Sequence, residues 1–162
     1  MNYFNNIENI EKCKEIVESW MGTPYVHLKA IKGRAADCSL LIAEILREMG
    51  ILNNLEFDKY KPKDWCVYSH SQFILDTIRL NKSFVSNGLI INEYKFNAIS
   101  ELMFGDTLTF ALKKKSDIVN HTGLYLDKNI IVHSVHGHKV EKSKLSDKYI
   151  RNLKLYFRVE NL

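Results

Sequence analysis

Cys38 stands in GRAADCSLLIAEIL, where a polar loop passes into an apolar helical run. A sulfur there faces the unsatisfied N–H groups of a first helical turn. That arrangement lowers thiol pKa values to roughly 3.5 to 7.5 and favours a nucleophilic thiolate near neutral pH. The alternative is a buried structural thiol, which is the reading for Cys13 and Cys66. What separates the two for Cys38 is a base, and His121 in NHTGLYLD is the candidate. Strand alternation puts His121, Gly123 and Tyr125 on one face, with Gly123 leaving room beside the imidazole. His133 follows in IIVHSV. A hairpin about Asp127–Asn129 pairs His121 with His133 and Tyr125 with Asn129, so the two rings are expected to touch. A nucleophile, a base and a group that orients the base are what acyl transfer requires. A different chemistry is offered by His133, His136 and His138, which with His121 form a candidate metal-ligand set. Alternation counts against it, because His133 faces away from His136 and His138 unless Gly137 or a bulge turns the chain.

These side chains need elements to hold them. Ile7, Ile10, Val17 and Trp20 recur at helical spacing and stop before Gly22, Thr23 and Pro24, which predicts a first amphipathic helix. A second helix is expected over Asp37–Met49, with Leu41, Ile45, Leu46 and Met49 on one face and Gly50 at its end. Ser69 and Gln72 have capping-box spacing ahead of Phe73, Ile74 and Ile78, predicting a third helix over Ser69–Leu80 after a loop from Asn53 to Asp64. From residue 106 the period shortens. DTLTFAL, IVNHTGLYLD, NIIVHSV, KVEK and LKLYFRV read as an antiparallel sheet, with KKKSD and Asp127–Asn129 as connections. Helices followed by strands predict an α+β fold with the helices packed on one face of the sheet.

The chain has 162 residues, 46% of them hydrophobic and 26% charged, with two prolines and seven glycines. That composition excludes disordered and collagen-like classes and fits one domain over 1–162. Three cysteines cannot all pair, which points to a reducing compartment. The first residues, MNYFNNIENIEKCKE, lack the basic and apolar regions of a signal peptide, so cytoplasmic synthesis is expected. No apolar run approaches the roughly 18 residues needed to cross a bilayer, and no membrane partner is expected. The net charge of +4 is carried without any basic stripe interleaved with aromatics, and Lys113–Lys115 reads as a solvated turn. Nucleic acid is therefore not an expected partner.

Taken as a set, WMGTPYVHLKAIKGRAADCSLLIAEIL, FGDTLTF, HTGLYLD and IIVHSV resemble the NlpC-type papain-like cysteine peptidases that cut bacterial cell-wall peptides, over roughly residues 17–159. The likeness is strongest to the short peptidases of phage tails and gene-transfer agents. It implies a papain-like single domain with Cys38 as nucleophile, His121 as general base and His133 as the residue that orients it. Tyr25 of GTPY matches a tyrosine beside the nucleophile near the oxyanion, and Asp37 and Ser39 match positions that line the substrate pocket. The implied substrate is a peptidoglycan stem peptide or muropeptide, cut at γ-D-glutamyl-diamino acid bonds, with phage-tail proteins as partners and no cofactor. The chain departs from the family at Leu40, where a glycine is usual, and a leucine there is expected to narrow the site. A non-enzymatic tail or binding protein that retains the fold is the alternative implied by that departure.

Overall fold

The computed structural model describes residues 1–53, 73–82 and 85–162. Helix α1 (Ile7–Trp20) starts where the Asn6 side chain accepts the Glu8 N–H at 2.9 Å, and it buries Cys13, Val17 and Trp20. The chain then forms a small hairpin, β1 (Ala30–Ile31) with β2 (Ala35–Ala36), and enters α2 (Cys38–Glu48). Leu41, Ile42, Ile45 and Leu46 of α2 are buried, which is the apolar face the spacing predicts. Helix α3 spans Phe73–Asn81. The expected helix start at Ser69 and Gln72, nearly all of the expected loop, and Cys66 lie outside the described residues.

Six strands follow: β3 (Leu89–Lys95), β4 (Thr107–Phe110), β5 (His121–Tyr125), β6 (Ile130–Ser134), β7 (Val140–Lys144) and β8 (Leu153–Asn161). They form one antiparallel sheet in the order β3-β8-β4-β5-β6-β7, with helix α4 (Asp147–Asn152) between β7 and β8. The N-terminal helices pack on one face, where Val17, Trp20, Leu41 and Ile45 meet Leu124, Val132 and Phe157. Tyr149 and Ile150 of α4 cover the other face over Phe110, Tyr125 and Ile131. Every residue of β5 is therefore buried, as a strand covered on both sides must be. The periodicity reading missed β3, an edge strand carrying Asn92, Glu93 and Lys95, and also α4, whose six residues are too few for a helical period to show.

The FGDTLTF segment owes its residue types to folding. Asp106 is fully buried at the start of β4, and its carboxylate accepts the Met103 N–H at 2.8 Å and a two-pronged contact from Arg158 at 2.8 and 2.7 Å. Arg158 also donates to the Glu101 carbonyl at 2.7 Å and lies against the rings of Tyr94 and Tyr156. The Asp106 carbonyl in turn accepts the Tyr125 N–H, so this one residue ties β4, β5 and β8 together. Burial pushes the Asp106 carboxyl up while the Arg158 guanidinium holds it down. Removing one member of such a pair strands the other charge, at a cost of about 3 kcal/mol or more. Arg158→Leu should lower unfolding free energy by about that amount in urea denaturation. Lys14→Ala, which breaks the exposed Lys14–Glu11 pair, should change it by under ~0.5 kcal/mol. Equal effects from the two variants would refute this assignment.

Candidate active site

Cys38 is held by its neighbours before any chemistry enters. Asp37 caps α2: one carboxylate oxygen accepts the Leu40 N–H at 2.7 Å and the Ser39 hydroxyl at 3.2 Å, and the other accepts the Leu28 N–H at 2.9 Å. On either side of Asp37, buried hydroxyls from the sheet grip the chain. Ser134 Oγ donates to the Ala36 carbonyl at 2.6 Å, and Thr122 Oγ1 donates to the Cys38 carbonyl at 2.8 Å. The β5–β6 ladder pairs Leu124 with Val132 and Tyr125 with Ile131, and among the described residues it does not continue toward His121. The N-terminus of α2 lies at that opening. Leu126 donates its N–H toward β6, to the Ile130 carbonyl. By the two-residue period, Thr122 N–H points the same way, and there it meets the Cys38 sulfur. The thiol thus rests against the peptide that joins His121 to Thr122.

His121 and His133 are in contact, with His121 Nε2 and His133 Nδ1 at 2.9 Å. The register differs from the expected one. The connection uses three residues, Asp127, Lys128 and Asn129, with φ of 48° and 61° at the last two, and Leu126 pairs with Ile130 across it. The ladder is shifted by two residues as a result, and Gly123, not His121, lies opposite His133. A shift of two keeps every side chain on its face. Because Gly123 presents no side chain, the His121 ring reaches diagonally across to its partner. Phe110 and Tyr149 close over the pair, with ring centroids 5.9 Å from His121 and 5.5 Å from His133 respectively. His133 Nε2 lies 2.9 Å from Ser143 Oγ on β7, and that hydroxyl is 3.3 Å from Glu141 Oε1. His121 Nδ1 makes no hydrogen bond among the described residues.

The electrostatics run against one expectation. Burial pushes the Cys38 thiol up to about 12, with the Asp37 carboxylate adding to the rise against hydrogen bonds from Thr122 and Ser39. The favourable N–H groups of the helix start are partly spent on Asp37, so desolvation outweighs the helix terminus. Burial also pulls His121 down to about 3, helped by His133, and pulls His133 down to about 4 against the opposing pull of Glu141. Burial therefore works against both charged forms, the Cys38 thiolate and the His121 imidazolium.

The remaining expected residues divide by position. Tyr25 bridges Ala36, two residues from Cys38, and packs its ring edge-on against His136 at 5.1 Å. Asp37 is 1% exposed with both oxygens engaged, so it shapes the loop into α2. Ser39 is half-buried beside it. Leu40 is buried in the same turn. The alternative metal set does not assemble: His133 faces β5 and Tyr149, whereas His136 lies on Tyr25, and among the described residues no three His, Cys, Asp or Glu converge to hold an ion. Thr122, Ser134, Ser143, Glu141 and Tyr149 escaped the sequence reading. Alternation is the signal that bears on four of them: Glu141 and Ser143 share a face along KVEKSK, and Thr122 and Ser134 each face away from the histidine before them.

Comparison with known proteins adds an independent line. A family model described as the NlpC/P60 family matches residues 22–159. No curated protein sequence matches the chain. Among solved structures, a lipoprotein-like NLP/P60 family protein of Staphylococcus aureus aligns with TM-score 0.58 and 20% identity, covering 91% of this chain and 40% of its own. An NlpC/P60 family protein of Bacillus cereus gives 0.58 and 19%, covering 91% of this chain and 39% of its own. NlpC2 of Trichomonas vaginalis gives 0.56 and 15%, with 94% and 46% covered. The chain spans less than half the length of each of these structures, and the likeness establishes the fold.

The two depressed imidazoles make stability depend on pH. Their unfolded-state pKa of about 6.5 lies above both folded values, so on acidification the unfolded chain takes up protons first. Stability from this source is complete above about pH 6.5 and falls by up to about 1.4 kcal/mol per pH unit for each ring until the folded values are reached. Urea denaturation at pH 7.5, 6 and 5 should show this loss, and His133→Gln should flatten it. A wild-type curve that is level over that range would contradict the burial assigned to the pair.

Proposed function

The chain belongs to the NlpC/P60 family, whose members are generally cell-wall cysteine peptidases, and on that premise we propose that it hydrolyses amide bonds of peptidoglycan peptides through a thioester on Cys38. The observation that carries the reading is the His121–His133 contact at 2.9 Å on the strand whose next residue, Thr122, holds Cys38. His121 Nδ1, the nitrogen not engaged with His133, takes the thiol proton as the sulfur attacks the carbonyl carbon. The imidazolium then returns that proton to the departing amine, and water resolves the acyl-enzyme with His121 again as base. The negative charge that develops on sulfur is met by the N–H groups of Thr122 and Ser39, hydrogen bonds that oppose the rise in the Cys38 pKa, while the Thr122 hydroxyl stays on the Cys38 carbonyl. The oxyanion falls to the Cys38 N–H, in the first turn of α2 where backbone donors have no helical partner, with Tyr25 close by.

The proposed bond is the one the sequence resemblance implies, γ-D-glutamyl to diamino acid, and the proposed setting is a phage tail that carries the protein to the wall. A tail enzyme should cofractionate with particles and digest intact wall. Restriction to the soluble fraction, with activity on free muropeptides only, would replace delivery by recycling and leave the cysteine mechanism in place.

Mass spectrometry of wall fragments is the decisive test of the chemistry. The wild type should release cut stem peptides, Cys38→Ala should fold and release none, and Cys13→Ser should still turn over. Identical fragments from wild type and Cys38→Ala would end the hydrolase reading and favour a binding protein that keeps the shape.

A further inference from the structure

We infer that Ser143 and Glu141 of β7 are positioning residues that fix which nitrogen of His121 carries its proton. The inference rests on the hydrolase reading for its purpose and on hydrogen-bond bookkeeping for its content. Opposite His133 on β7 lies Glu141, and Ser143 is two residues on, so β5, β6 and β7 present His121, His133, Ser143 and Glu141 on one face. An ionised carboxylate only accepts, so the one hydroxyl proton of Ser143 goes to Glu141 Oε1. Ser143 Oγ must then accept from His133, which puts the His133 proton on Nε2. With His133 neutral, its Nδ1 is a lone pair, and the His121 contact at 2.9 Å requires the proton on His121 Nε2. Nδ1 of His121 is thereby left bare, as a base must be.

If the polarity is reversed at Ser143, every donor in the chain reverses. Ser143 would donate to His133 Nε2, His133 Nδ1–H would donate to His121 Nε2, and His121 would hold its proton on Nδ1, where it cannot accept the thiol proton. Among the described residues, Glu141 is what distinguishes the two directions. Phe110 packs on the His121 ring and Tyr149 on the His133 ring.

The test is nitrogen NMR of protein labelled in the imidazole rings, which reads tautomers without turnover. In the wild type, His121 should be protonated on Nε2. Ser143→Ala and Glu141→Ala, both at half-exposed sites, should give a mixture of tautomers, while Ser143→Thr, which keeps the hydroxyl, should restore the single form. On wall peptides, kcat should fall about tenfold or more in the two alanine variants with KM changed less than twofold, and Ser143→Thr should recover it. A proton on His121 Nδ1 in the wild type, or tautomers unchanged in either alanine variant, would overturn the inference. A wild type that cuts no wall peptide would instead end the hydrolase reading, and the tautomer comparison would still decide this one.

Discussion

Two buried hydroxyls, Thr122 and Ser134, hold the start of α2 against the sheet by donating to the carbonyls of Cys38 and Ala36 at 2.8 and 2.6 Å. Each follows a histidine in sequence. Alternation turns consecutive side chains to opposite faces, so His121-Thr122 and His133-Ser134 give each strand an imidazole on one face and a clasp on the other. The helix start occupies the place where the β5–β6 ladder ends, and the Thr122 N–H that a longer ladder would have used is turned to the sulfur. Cys38 is placed relative to the imidazoles by main-chain geometry on both sides, which is stiffer than any contact between long side chains.

That clasp also sets the electrostatics. Fastening Cys38 under the sheet removes it from water, and the same packing encloses both imidazoles beneath Phe110 and Tyr149. An ion pair formed at rest would have to be desolvated in full, and a buried pair of charges recovers that cost only with nearly complete hydrogen bonding. In the proposed reaction, the charge on sulfur develops where hydrogen-bond donors are already in place. Burial, which a linear sequence shows poorly, therefore opposes the thiolate that the position of Cys38 at a helix start favours.

Much of the fold was legible because it follows from local period. The spacing of Ile7 to Trp20, the apolar face of Leu41, Ile45 and Leu46, and the shift to alternation after residue 106 each map onto an element that forms. Where local period is weak, the reading failed. β3 is an edge strand with its polar residues half in solvent, and α4 has six residues whose placement depends on the second core. The GDTLTF segment looked like part of a functional signature, but Asp106 is committed to Arg158, a partner 52 residues away that no local pattern could supply.

The site shows where such reasoning stops more sharply than the fold does. Assigning His121 and His133 to one face required only the two-residue period, and the misplaced hairpin turn, wrong by two, left that assignment intact. An error of one would have sent His133 toward the helices and dissolved the site. The partners beyond the pair depend on the register as well as the face. Ser143 meets His133 only because β7 sets Glu141 opposite it, and that alignment is fixed by the β6–β7 ladder and by Val140 at its start, whose carbonyl accepts from Gly22 and whose N–H donates to Thr23. The segment after α1 therefore takes part in aligning β7, and through β7 it reaches His133, the histidine that contacts His121 on β5. A short stretch whose glycine and proline read as a helix stop is also a register mark for the polar end of the site.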